Sequence, residues 1–280
     1  MILGFLGKGG SGKSSVATQM ALFAQQSHNT MLAIDADHNM DFSYNLTEGE
    51  VIDIPYLSHS LDELQSAVGL TAGQKYPEAF MQTTTHRFTL NPLSPEIKKY
   101  SFEVKNNIRV MAAGPQTDDV LYGQKCSHSL STPLKILLPL LQLQEDEITL
   151  VDEKAGADGV STGIVTGIDV GVIICEASLH SVKTAKQIAS LMDFYDTPYI
   201  FVGNKVTCSE DKDFITKELE RDPSVFLMES SGVKRNPSEA VPEWVDELKL
   251  ILQEAGRLTQ NNRLERTTMK FKRNYYFTHS

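Results

Sequence analysis

A run of lysine, glycine and serine residues near the amino terminus has the spacing of a phosphate-binding loop. The run Gly-Lys-Gly-Gly-Ser-Gly-Lys-Ser occupies residues 7–14, between an apolar stretch at 2–6 and a helical stretch at 16–25. In such a loop the glycines let backbone N–H groups face a polyphosphate, and the amino end of the helix attracts it. A chance glycine turn before a helix is the alternative. The pattern predicts that Lys13 contacts the β- and γ-phosphates of a nucleoside triphosphate and that the Ser14 hydroxyl binds Mg²⁺. The predicted nucleotide contacts are Gly9, Gly10, Ser11, Gly12, Lys13, Ser14 and Ser15.

Two aspartates follow apolar runs that have the composition of buried strands. Asp152 comes directly after the run at 148–151, and Asp37 lies just beyond the run at 31–34. A carboxylate at the end of a buried strand opposite a phosphate loop can hold Mg²⁺ directly or through water. Either residue could instead cap a helix or end a strand in a turn. We expect both Asp37 and Asp152 to lie at the magnesium site.

The elements that must position these residues alternate between strand and helix. Near-continuous apolar strands separated by helices are typical of a parallel sheet that is covered on both faces. The predicted strands are 2–6, 31–34, 108–112, 148–151, 170–175 and 199–202, and the predicted helices include 16–25, 132–142 and 181–192. We therefore expect an α/β fold with a single doubly wound, mostly parallel sheet. Ligands bind such sheets outside the carboxyl ends of the strands, which is where the loop and both aspartates fall.

Length and composition limit the classes of protein to which this chain can belong. The chain has 280 residues, 41% of them apolar, so it can bury a large core. Its formal charge of -10 makes it a poor general partner for nucleic acid. Three cysteines are too few for a secreted disulfide framework. With no basic leader and no apolar run of membrane-spanning length, we expect a cytoplasmic protein. The predicted organisation is one domain over 1–256, with a surface insertion at 53–107 and a basic tail at 257–280.

The second residue of the loop points to a particular superfamily. Lys8 stands where ordinary phosphate loops accept almost any residue, and this resembles the deviant loop of the Min-type and Par-type ATPases, nitrogenase iron protein and the metallocentre-insertion ATPases. The resemblance implies that Lys8 crosses the interface of an ATP-dependent homodimer and neutralises charge on the partner's phosphates. It also implies catalytic roles for Lys13 and for Asp37, which would orient the attacking water. A solvated surface lysine is the alternative for Lys8.

Several further segments resemble the CooC-type ATPases that mature the nickel site of carbon monoxide dehydrogenase. These segments are residues 32–37, 90–92, 99–101, 152–158, 176–186 and 203–206. They occur in the expected order and, with the loop, cover the chain from residue 1 to about 250. The resemblance implies ATP with Mg²⁺ as the nucleotide, hydrolysis that accompanies metal delivery to a client metalloenzyme, and Asn204 as the contact to the adenine edge. The chain departs from the family pattern at His38, where a proline is usual.

A metal site would come from Cys126 and His128. The CooC-type family has a Cys-x-Cys pair here, whose thiolates from two subunits bind one metal ion, and this chain has histidine in place of the second cysteine. A thiolate and an imidazole from each subunit suit Ni²⁺ or Zn²⁺. The alternative is an idle thiol beside a surface histidine, since a Cys-x-His pair is a weak signal by itself.

Other function classes stay open. A Min-type or Par-type positioning switch would use the same loop. The basic tail could dock on a membrane or a client, or form a solvated or loosely packed terminus. A reductase like nitrogenase iron protein would need a second cysteine per subunit on a neighbouring loop, and the segment after Asp152 has none.

Overall fold

The central feature of the fold is an eight-stranded sheet. The computed structural model describes residues 1–27, 30–50, 55–71, 74, 77, 80, 84–105, 107–115, 122, 130–161 and 163–279. The strands are β1 (Ile2–Gly7), β2 (Thr30–Asp35), β3 (Phe88–Thr89), β4 (Phe102–Lys105), β5 (Ile108–Ala112), β6 (Leu141–Gln142), β7 (Glu147–Asp152), β8 (Val170–Cys175), β9 (Tyr199–Val206) and β10 (Val225–Met228). The sheet order is β10-β9-β8-β1-β7-β2-β5-β4, while β3 and β6 form a separate parallel pair. All neighbours in the large sheet are parallel except β4 and β5, which confirms the predicted fold class.

Helices cover both faces of this sheet. They are α1 (Lys13–Ala24), α2 (Asp41–Leu46), α3 (Leu61–Ala67), α4 (Pro95–Tyr100), α5 (Leu134–Leu140), α6 (Ala157–Ser161), α7 (Leu179–Phe194), α8 (Ser209–Leu219), α9 (Ser231–Arg235), α10 (Val245–Leu258) and α11 (Arg263–His279). Helices α1, α2 and α10 pack in one buried cluster, and α3, α5, α7 and α11 pack in another. In β1, Leu3 and Phe5 enter the first cluster, whereas Ile2 and Leu6 enter the second. This strand is continuously apolar because neither face of the sheet is open to water.

Strand register brings the predicted functional residues to one edge. Asp152 at the end of β7 is level with Phe5 of β1 and with Asp35 of β2. The phosphate loop that leaves β1 and the turn that follows β2 are therefore neighbours of Asp152. The carboxyl end of the sheet collects these groups, as expected for a parallel α/β fold.

Two segments differ from their predicted structure. The helix predicted over 132–142 ends at Leu140, because Leu141 adopts an extended backbone and pairs with Phe88 to form the small sheet. In the predicted surface insertion, the described residues include Leu64 and Ile97, which are buried in the same core cluster as α5. Long-range strand pairing and burial therefore determine the structure of these two segments, which their local sequences do not predict.

The basic carboxyl-terminal segment is packed over the part of α11 whose side chains are described. Arg263 Nη1 donates to the fully buried carboxylate of Asp169, with 2.6 Å to Oδ2, and Thr267 hydrogen-bonds Thr166 at 2.9 Å. Phe271 is buried and its ring lies 5.5 Å from that of Phe80. A solvated terminus therefore does not describe residues 263–272. Among the described helices, none is both long and apolar enough to span a membrane.

Candidate functional site

The loop after β1 has the backbone of a phosphate cradle. Gly10 and Gly12 adopt left-handed conformations, with φ of 82° and 94°, and α1 begins directly afterwards at Lys13. A Cβ atom at Gly12 would lie 2.3 Å from Nδ2 of Asn204, so only glycine allows this close approach. The Ser11 N–H closes the turn on the carbonyl of Lys8 at 3.1 Å. The local sequence therefore builds the strand, turn and helix that polyphosphate binding needs.

Three aspartates lie together beside the loop, and two of them are completely buried. Asp35 accepts hydrogen bonds from the backbone N–H groups of Ser43 at 2.7 Å and Asp37 at 3.2 Å. Neither carboxylate oxygen of Asp152 accepts a hydrogen bond of normal geometry from the described residues. Burial raises the pKa of Asp152 to about 6, and the charge of Lys13 partly opposes this rise. Burial and the charge of Asp152 also raise the pKa of Asp35 well above its usual range.

This arrangement fits a magnesium ion. A buried carboxylate without a partner is costly, and a hard divalent cation with oxygen ligands removes the cost. Ser14, Asp37 and Asp152 are the residues that could hold Mg²⁺, with the remaining ligands coming from phosphate oxygens and water. Asp37 is 7% exposed, and its Oδ1 lies 3.3 Å from Nδ1 of His38 and accepts from the Asn39 N–H. His38 thus brings an imidazole nitrogen to the predicted water-orienting aspartate, a polar contact for which a proline side chain has no atom.

A cavity of about 520 Å³ opens over the loop. Predicted site residues that line it are Gly9, Gly10, Gly12, Lys13, Ser14, Ser15, Asp37 and Asn204. Ser11 is buried within the loop, and Lys8 is not one of the lining residues. The structure therefore brings eight of the predicted site residues to one cavity, while Asp152 is buried beside Lys13 and Ser14 and does not line the cavity itself. Volume and lining suit a nucleotide, whose phosphates would meet the loop.

The far wall of the cavity was missed by sequence reasoning. Val233, Lys234, Pro237 and Trp244 line it, and Trp244 donates through Nε1 to the carbonyl of Met228 at 3.0 Å. As the single tryptophan of the chain, Trp244 is the one signal that could have drawn attention to this segment. Val233, Pro237 and Trp244 give this wall of the cavity an apolar surface.

Gln19 of α1 fixes this wall to the helix that follows the phosphate loop. Its Nε2 donates to the carbonyls of Pro237 and Glu239, both at 2.8 Å, and its Oε1 accepts from the Val241 N–H at 3.0 Å. The phosphate side and the base side of the cavity are thus connected through one buried side chain.

Glu153, which directly follows Asp152, is a further buried carboxyl group that sequence reasoning missed. Both oxygens of Glu153 lack a hydrogen-bond partner among the described residues, and burial with the neighbouring Asp152 charge raises its pKa to about 8. The sequence signal that could have identified Glu153 is its position directly after β7, which ends at Asp152.

The predicted cargo-metal site is not tested by the structure, because Cys126 and His128 lie outside the described residues. Within the described residues, no three His, Cys, Asp or Glu side chains are grouped so as to form a metal site by themselves. Cys175 is buried in β8, and burial raises the pKa of its thiol to about 12, as expected for an inert core residue.

Comparison with known proteins identifies the fold. No protein-family model matches the chain. An uncharacterized ATP-binding protein of Methanocaldococcus jannaschii is 27% identical over 236 residues, which are 81% of this chain and 87% of the relative. The carbon monoxide dehydrogenase accessory protein CooC of Rhodospirillum rubrum is 25% identical over 222 residues, which are 79% of this chain and 80% of CooC.

Solved structures agree on the architecture. The cell division ATPase MinD of Pyrococcus furiosus superposes with a TM-score of 0.60 at 13% identity, covering 92% of this chain and 99% of MinD. A ParA family ATPase of Chlorobium tepidum gives a TM-score of 0.59 at 18% identity, with coverage of 92% and 99%. This chain therefore has the fold of the MinD and ParA P-loop ATPases, built around a complete phosphate loop.

Proposed function

We propose that this chain is a Mg²⁺-dependent ATP hydrolase that acts as a maturation factor, delivering nickel or a similar metal to a redox enzyme such as carbon monoxide dehydrogenase. The observation that carries the ATPase part is the cavity where Lys13, Ser14 and Asp37 meet beside the unpartnered carboxylate of Asp152. ATP-binding relatives and the ATPase fold support the same activity. Support for the maturation part comes from the likeness to CooC.

In this proposal each part of the site has a separate task. Loop N–H groups and Lys13 bind the ATP phosphates, and Asn204 contacts the adenine edge. Ser14 and Asp152, with Asp37 nearby, would hold Mg²⁺, and the bound ion would supply positive charge beside the transferred phosphoryl group. Asp37 orients the attacking water, and its backbone N–H bond to the buried Asp35 fixes its position.

The proposal includes an ATP-dependent homodimer. Lys8 does not line the cavity of its own subunit, which suits a side chain that reaches the nucleotide of a partner. A lysine in that place would stabilise negative charge on the partner's phosphates during transfer, as an arginine finger does. Closing the dimer would also bring two copies of Cys126 and His128 toward one shared Ni²⁺ or Zn²⁺ ion.

A positioning switch of the MinD or ParA type is the second candidate. It is favoured by the two solved structures described above, which share the fold over nearly their whole length. Both candidates use ATP hydrolysis and dimerisation. They differ in whether the dimer carries a metal ion and in which protein it binds.

Metal analysis of the ATP-bound dimer distinguishes metal delivery from a positioning switch. Protein purified without oxygen is loaded with ATP and Ni²⁺ or Zn²⁺, and metal is counted per dimer for the parent, Cys126→Ser and His128→Ala. Cys208→Ser is the matched control, because Cys208 is an exposed thiol at the start of α8. The maturation proposal expects one ion per dimer, lost in the two site variants and kept in the control.

A ratio near zero in the parent, combined with full ATP hydrolysis, would refute metal delivery at this site and favour the positioning switch. Absence of Mg²⁺-dependent hydrolysis in the parent would refute the ATPase itself. Lys13→Ala gives the background rate for that measurement, because it removes the main cation at the β- and γ-phosphates.

A further inference from the structure

The end of β9 has an irregular backbone beside the phosphate loop. Lys205 lies within the strand but has φ of 56°, the left-handed conformation that residues other than glycine rarely adopt. The register against β10 shifts at the same place, so that Asn204 and Lys205 together oppose Leu227. Such a bulge re-aims side chains, and bulges are frequent next to active sites.

The bulge lets two consecutive residues reach the same loop. In a regular strand, neighbouring side chains point to opposite faces. Here Asn204 Nδ2 donates to the carbonyl of Ser11 at 2.8 Å, and Lys205 Nζ donates to the carbonyl of Gly10. Two adjacent loop carbonyls are therefore held by two adjacent strand residues.

A carboxylate from the neighbouring strand holds the lysine in place. Glu176 directly follows β8, and its Oε2 lies 3.2 Å from Lys205 Nζ. The backbone N–H of Glu176 in turn donates to the Ser181 hydroxyl at 3.1 Å, at the start of α7. The ammonium group thus links the loop carbonyl to a carboxylate whose backbone is itself fixed.

These contacts have a direct consequence for phosphate binding. A cradle of backbone N–H groups works only when the carbonyls of the same residues point away from the anion. Donors that bind the Gly10 and Ser11 carbonyls hold them away, and so remove part of the cost of ordering the loop when the ligand arrives.

We propose that Lys205 is a positioning residue for ATP binding: braced by Glu176, it holds the tip of the phosphate loop in the conformation that accepts phosphate. The inference rests on the proposed ATPase function at this loop. Because the brace supports the loop equally with bound substrate and in the transition state, its loss raises KM and leaves kcat nearly unchanged.

Nucleotide affinity is the first measurement, with fluorescence of Trp244 as the readout in the cavity wall. Lys205→Met weakens binding of both ATP and ADP by about fivefold, a modest effect because the ion pair is partly exposed. Lys205→Arg, which keeps a cationic donor, restores most of the affinity. Lys186→Met is the matched control, since Lys186 has the same side-chain exposure of 43% and an ion pair with Glu220 away from the loop.

The second measurement compares nucleotide affinity in the single and double variants of Glu176 and Lys205. Glu176→Gln alone weakens binding less than Lys205→Met does, and it adds nothing in the Lys205→Met background if Glu176 acts through the lysine. Additive losses would refute the brace. A loss for ATP much larger than for ADP would show that Lys205 contacts the γ-phosphate instead, and a fall in kcat at constant KM would give it a catalytic role; either result overturns the proposal.

ATP binding by the parent protein shows whether a negative result concerns the role of Lys205 or the proposed ATPase function. If the parent binds no ATP, the proposed ATPase function fails. If the parent binds ATP and Lys205→Met binds it equally well, the positioning role alone fails.

Discussion

Replacing Asp152 by asparagine should stabilise the nucleotide-free protein while weakening its use of Mg²⁺. No described residue donates to the buried carboxylate of Asp152 with normal hydrogen-bond geometry, and burial raises its pKa from 3.8 to about 6 although Lys13 and the Ser14 hydroxyl oppose the rise. That difference corresponds to about 3 kcal/mol by which folding disfavours the charged form at neutral pH. Asp152→Asn keeps the size of the side chain and removes the charge, so it recovers up to about 3 kcal/mol.

Thermal unfolding at pH 7.5 measures this effect. Without metal or nucleotide, the melting temperature of Asp152→Asn rises by several degrees, at about 2 °C for each kcal/mol in a chain of this size. With Mg²⁺ and ATP the parent gains stability through ligand binding, and the variant gains much less because a magnesium ligand is missing. Asp222→Asn, an exposed aspartate, is the control and changes neither value.

The sign of the pH dependence follows from the raised pKa. Above about pH 6 the folded state must carry the buried charge, so the stabilising effect of Asp152→Asn is full at neutral pH. As the pH falls through 6 toward 3.8, the parent binds the proton in its folded state and the difference between the two proteins disappears. A variant that melts below the parent at pH 7.5 without ligand would refute the reasoning, because it would show that Asp152 already has a stabilising partner.

Three further predictions concern turnover, assembly and the cavity wall. Asp37→Asn keeps ATP and Mg²⁺ bound but lowers the hydrolysis rate by about 10²–10⁴, measured as phosphate release; loss of ATP binding would make Asp37 structural. Lys8→Ala binds ATP as a monomer but no longer dimerises on ATP, as followed by light scattering, and an unchanged dimer would exclude the cross-subunit role. Gln19→Met leaves the buried Val241 N–H without an acceptor, which lowers stability by about 2 kcal/mol and weakens nucleotide binding, whereas Gln187→Met on the exposed face of α7 changes neither. Equal melting temperatures for the two glutamine variants would contradict the bridging role of Gln19.

The phosphate side of the site was predictable because its signals are local. Residues 7–14 determine the turn, Lys13 and Ser14 follow it directly, and the apolar runs before Asp37 and Asp152 mark the strand ends. Parallel strands then bring these ends to one edge of the sheet, whatever the details of packing.

The base side was not predictable because it depends on contacts between distant parts of the chain. Gln19 and Pro237 are 218 residues apart in sequence, and nothing near Gln19 distinguishes it from a solvent-facing glutamine. The conformation of Lys205 likewise depends on a register shift between β9 and β10, which no local pattern encodes. Leu141, predicted to be helical, was drawn into a strand by its pairing with Phe88.

The contact between Arg263 and Asp169 has a consequence for the order of events during synthesis. Asp169 also accepts a hydrogen bond from the Ile2 N–H at 2.7 Å, so one carboxylate joins the first residue of β1 to the helix α11. Until Arg263 has been synthesised, this buried carboxylate lacks its direct ion-pair partner, and breaking a buried ion pair of this kind costs about 3–5 kcal/mol. The strand that leads into the phosphate loop therefore reaches its final stability only after α11, which follows it by more than 250 residues, has packed against Asp169.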